Sequence, residues 1–63
     1  MENQKYLFQN SFIKVIVEGE DNSGYYVYIF QDPLSENSTA DYHYETLEEA
    51  FLAAEKRLAL TID

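Results

Sequence analysis

The side chains able to do acid–base or nucleophilic chemistry are few and scattered. His43 is the one histidine, and Asp41 stands two residues before it. Positions i and i+2 of a strand share a face, so the two can make a solvated pair. A general base also needs a pocket and a group that positions it, and the spacing supplies neither. Ser11, Ser23, Ser35 and Ser38 occupy turn or strand-start contexts without a nucleophile-elbow pattern. Glu48 and Glu49 are neighbours on a helix, about 100° apart, and form no catalytic dyad. GEDNSG, residues 19–24, has the acids of a calcium loop but not at its alternating positions, and it lacks the closing bidentate Glu. Gly19 and Gly24 are the only glycines, so a phosphate-cradling loop is absent from the sequence. There is no cysteine, which removes thiolate zinc sites and disulfides. The expectation is a chain with no catalytic residues, no metal and no cofactor.

What remains is acid and aromatic surface. Twelve acids face four bases, for a net charge of −8. Between Val15 and Glu55 there is no Lys or Arg, while Glu18, Glu20, Asp21, Asp32, Glu36, Asp41, Glu45, Glu48, Glu49 and Glu55 fall in that stretch. Affinity for phosphates comes mainly from Lys and Arg, so direct binding to nucleic acid is not expected. A negative surface either keeps the chain in solution or steers it to a basic partner. At 46% hydrophobic and 16% aromatic residues, this is not a disordered acidic tail.

These side chains need elements to hold them. Sixty-three residues make a single domain, 1–63, with a small core; a chain of this size leaves about 40% of its unfolded surface exposed and often gains from oligomerisation. SFIKVIVE, Ser11–Glu18, reads as a strand rich in β-branched residues. GEDNSG is a turn by its chemistry. YYVYIFQ, Tyr25–Gln31, makes a second strand. Asp32-Pro33 opens a loop, and TADYHY, Thr39–Tyr44, makes a third strand. Thr46 begins "TLEE", a helix cap with Glu49 reaching back. Leu47, Ala50, Phe51, Ala54 and Leu58 recur at helical spacing. Residues 1–10 fit either a short turn or a leading strand. The expected fold is α+β: a three-stranded antiparallel sheet packed on one C-terminal helix, in the order β-β-β-α.

One helix covers one sheet face. Ile13, Val15, Val17, Val27 and Ile29, with Tyr25, suit that face. Phe12, Ile16, Tyr26, Tyr28 and Phe30 then lie on the other, covered by the N-terminal segment and Leu34, by a second copy in a homodimer, or by a partner. Tyrosine suits an interface because it joins a large apolar body to a polar tip. The expected partner-binding residues are Glu18, Glu20 and Asp21 at the turn, Tyr25, Tyr26, Tyr28 and Phe30 on the second strand, Asp41, Tyr42 and Tyr44 on the third, and Glu48 on the helix. No run nears the ~20 apolar residues of a membrane span, and MENQKYLFQN lacks the pattern of a signal peptide. The expected setting is cytoplasmic, without a membrane partner.

Phe8 to Tyr28, FQNSFIKVIVEGEDNSGYYVY, resembles the small proteins of phi29-like phages that inhibit uracil-DNA glycosylase. The shared features are an aromatic three residues before Ser11, Phe12, a β-branched strand, an acidic turn, and "YYxY" at Tyr25, Tyr26 and Tyr28. The resemblance implies a homodimeric DNA mimic that sets acids in the enzyme's DNA groove and an apolar pocket around its DNA-probing leucine. Val27 stands at a position that is acidic in a member of that family, and only the "YYxY" tyrosines carry over. A second stretch is similar to HicB-type antitoxin domains. It comprises a "GxYxxY"-like strand at Gly24–Tyr28, a D-x-P-like turn at Asp32–Leu34, and "TLEEA" at Thr46–Ala50, without the family's Pro-Gly-Cys. That resemblance implies a domain that binds a toxin ribonuclease. Both imply a small acidic protein lying on the basic working surface of a nucleic-acid-processing protein. The different class is a structural or assembly protein whose acids only solubilise it.

Overall fold

Alternate burial along β-branched and aromatic strands builds the sheet. The computed structural model describes residues 3–20 and 22–60, in the order β1 (Gln4–Gln9), β2 (Lys14–Glu20), β3 (Gly24–Phe30), β4 (Ala40–Tyr44) and α1 (Leu47–Leu60). The strands form one antiparallel meander, β1-β2-β3-β4. The α+β class with a C-terminal helix is as expected, but the sheet has four strands rather than three. The extra strand comes from the N-terminal segment. Tyr6 and Phe8 share one face of β1 and pair with Val17 and Val15, while Leu7 between them points to the other face. Their rings meet Phe51 of α1 edge-on, at 4.8 and 5.2 Å between centroids. The N-terminal segment therefore extends the sheet instead of folding over its second face.

The register pairs like with like. Val15 faces Phe8 and Ile29, and Val17 faces Tyr6 and Val27. Val15, Val17, Tyr25 and Val27 are fully buried, with Ile13, Ile29, Ala50 and Ala54 completing the core. The helix stripe supplies two alanines at the closest approach, flanked by Leu47, Phe51 and Leu58. Leu52 and Leu60 lie off the stripe and are exposed. At the helix start the Glu49 amide donates to Thr46 Oγ1 at 3.2 Å, and that hydroxyl donates to Glu49 Oε1 at 3.1 Å. The capping half of the box is made as the sequence predicts, with the Glu49 side chain meeting the hydroxyl.

Local hydrogen bonds move the strand ends. β2 starts at Lys14 rather than Ser11 because Asn10 closes a turn: its Oδ1 accepts from the Phe12 and Ile13 amides at 2.7 and 2.9 Å. Asn10 Nδ2 also donates to the Leu58 carbonyl at 3.4 Å, fastening this turn to the end of α1. β2 runs on through Gly19 and Glu20, and both glycines of the expected turn lie in strands. A Cβ at Gly19 would collide with the Gly24 carbonyl and the Tyr25 backbone, so no larger residue fits there. After β3 the Asp32 carboxylate accepts from the Leu34 amide at 2.9 Å, and Thr39 returns to β3 through its amide on the Ile29 carbonyl at 2.7 Å. Among the described residues no helix is long and apolar enough to cross a membrane.

Candidate functional site

The helix covers one face of the sheet, and the other is open. Its central positions follow from the pairing: Lys5–Glu18–Tyr26–His43 in one row, and Leu7–Ile16–Tyr28–Asp41 in the next. Leu7 is 61% exposed, Tyr26 45% and Phe12 58%, while Ile16 and Tyr28 are half-buried. The Tyr26 and Tyr28 rings, two residues apart on β3, stack at 6.2 Å with 22° between their planes. The edge of His43 meets Tyr26 at 4.8 Å. Partial burial raises the Tyr28 phenol above its ordinary value of 10.0, and the charges of Glu18 and Asp41, with Tyr26, push the same way.

The turn end of this face carries three side-chain hydrogen bonds. Asn3 Nδ2 donates to Glu18 Oε2 at 2.9 Å, and Ser23 Oγ donates to Glu20 Oε1 at 3.3 Å. His43 Nε2 lies 3.3 Å from the Ser23 carbonyl, so the imidazole crosses Gly24. Gly24 has φ +87°, a left-handed conformation that favours glycine. Between Glu18, Glu20, Tyr26 and Tyr28 lies a hollow of about 390 Å³. Asp41 takes a hydrogen bond from Ser38 at 2.9 Å, while the ring of His43 packs on Tyr26. Among the described residues no group of three His, Asp or Glu side chains is placed to hold a metal ion.

Of the residues expected to bind a partner, the fold gathers Glu18, Glu20, Tyr26, Tyr28 and Asp41 on the open face. Asp21 lies outside the described residues. Five others are placed differently. Tyr25 is 1% exposed and belongs to the core, because odd positions of β3 point to the helix. Phe30 is on the open face but covered: the Lys14 ammonium sits 4.4 Å over its ring and donates to the Ser35 carbonyl at 3.1 Å. Tyr42 and Tyr44 share the helix side with Val27 and Tyr25; Tyr42 OH accepts from Arg57 at 3.2 Å, and Tyr44 packs against the core. Glu48 is exposed in the first turn of α1, on the layer that covers the opposite face. Leu34, a candidate cover, is 89% exposed. Leu7, Asn3 and His43 were not among the expected contacts. A strand reading of residues 4–9 would have put Leu7 opposite Tyr6 and Phe8.

The open face is therefore aromatic and acidic along β3 and β4, and apolar with two lysines toward β1. Lys5 stands across from Glu18, and Lys14 across from Phe30. No family model, curated protein or solved structure matches this chain.

Proposed function

We propose that this chain is a non-enzymatic binding protein that inhibits a nucleic-acid-processing protein by lying on its basic working surface. One observation carries the reading. One face of the four-stranded sheet lacks a helix, and its centre is a tyrosine pair set between carboxylates, Glu18 and Glu20 on one side and Asp41 on the other. An uncovered patch of this kind marks an interaction surface. Buried aromatic anchors give lasting affinity, and surrounding charges give speed and register. With a net charge of −8, the complementary partner is basic, and basic grooves are the working surfaces of proteins that hold phosphates.

Uracil-DNA glycosylase is the target to try first, on the strength of the resemblance in the hairpin. The chain should inhibit glycosylase cleavage of a uracil-containing duplex, and excess DNA should relieve the inhibition. Tyr26→Ala should weaken it by roughly 1–3 kcal/mol, the scale of a lost anchor. Absence of inhibition at micromolar chain would remove this target. Silencing of a toxin ribonuclease instead would move the reading to an antitoxin. A stable dimer abolished by Tyr26→Ala would give the face to a second copy.

A further inference from the structure

We propose that the hollow between Glu18, Glu20, Tyr26 and Tyr28 is a seat for one arginine side chain of the partner. This rests on the reading of the open face as the docking surface, and it names the group that face would grip. The hollow, about 390 Å³, is large enough for a guanidinium and its stem. Its walls offer the two things that group recognises. The Tyr26 and Tyr28 rings lie 22° from parallel and present aromatic faces on which a planar cation stacks. Glu18 stands across the sheet from Tyr26, and Glu20 across from Gly24, so carboxylates line the adjoining wall. Guanidinium binds carboxylates through a rigid fork of donors, which an ammonium cannot offer.

The carboxylates are also held in place. Asn3 and Ser23 each donate to one of their oxygens, and a carboxylate oxygen accepts more than one hydrogen bond. Preorganised acceptors lose little freedom when a ligand arrives. Burial is the first cause of the raised Tyr28 phenol, and the charges of Glu18 and Asp41 add to it. Gly24 completes the end of the hollow by letting His43 lie across it and brace Tyr26.

The probe is backbone-capped arginine, titrated into isotope-labelled chain and followed by NMR, with capped citrulline and capped lysine as comparisons. Arginine should give saturable millimolar binding, with shifts at the Tyr26 and Tyr28 rings and at Glu18. Lysine should bind several-fold more weakly, and citrulline, the neutral isostere, should not saturate. Glu18→Gln should weaken arginine binding at least fivefold, with the amide spectrum otherwise preserved, while Glu48→Gln should leave it unchanged. Equal responses to citrulline or lysine, shifts on α1 instead, or no saturation by arginine would each overturn the seat. The outcome is separable from the inhibition assay. Inhibition without arginine binding removes the seat alone, and arginine binding without inhibition removes the target alone.

Discussion

Val27 and Tyr26 are adjacent on β3 and point to opposite faces, so truncating each measures what that face contributes to folding. Val27 is fully buried between Val17 and Tyr42. Val27→Ala removes two carbons, about 1.6 kcal/mol of transfer free energy at ~0.8 per methylene. A residual cavity of about 50 Å³ adds roughly 1 kcal/mol. The sum, about 2.5 kcal/mol, is a large part of the ~3–9 kcal/mol expected for a domain of this length. Tyr26 is 45% exposed, and its neighbours are Tyr28, His43 and Glu18. Cross-strand pairs of that kind contribute about 0.2–1 kcal/mol each, so Tyr26→Ala should cost about 1 kcal/mol. Urea unfolding followed by circular dichroism reads both. With a slope of about 1 kcal/mol per molar, the midpoint should fall by ~2.5 M for Val27→Ala and ~1 M for Tyr26→Ala. Equal losses, or a larger loss for Tyr26→Ala, would mean that the Tyr26 face is packed inside the protein and would refute the reasoning.

Two further variants probe the same hairpin. Gly24→Ala places a Cβ 2.5 Å from His43 Nε2 on a backbone with φ +87°. It should destabilise by more than the ~1–2 kcal/mol of left-handed strain alone, and by less in a His43→Ala background, where the strain and a 3.1 Å contact with the Tyr44 carbonyl remain. Equal costs in the two backgrounds would remove the imidazole from above Gly24. For Tyr28, a phenol pKa raised in the fold leaves stability intact below the unfolded value and erodes it as pH rises through the folded one. Above about pH 10 the wild type should therefore lose stability relative to Tyr28→Phe, and a stability difference constant with pH would show that the phenol is not raised.

The sequence foretold most of the fold because its alternation is strong. Val15, Val17, Val27 and Ile29 at period two, and Leu47, Ala50, Phe51, Ala54 and Leu58 at helical period, leave little choice of face. The leading strand was open because Tyr6-Leu7-Phe8 is a continuous apolar run, in which alternation cannot be seen until a partner strand sorts it. The face of a side chain was legible where parity decides, as at Glu18, Tyr26, Tyr28 and Asp41. Parity puts Tyr25, Tyr42 and Tyr44 on the helix side, away from the open face, whatever the appeal of tyrosine as a contact residue. Phe30 lies on the expected face but is covered, because Lys14 reaches it across the strand pair and is held by Ser35 of a loop. Such long-range contacts leave no local mark in a sequence.

The central claim is that the open face, and not the acidic helix, meets the target. Amide and aromatic NMR shifts of labelled chain on titration with uracil-DNA glycosylase test it directly. Perturbations should fall on Glu18, Glu20, Tyr26, Tyr28, Asp41 and His43, with the outer residues of α1 unmoved. Perturbations centred on Glu48, Glu49 and Glu55, or none at all at saturating enzyme, would contradict it.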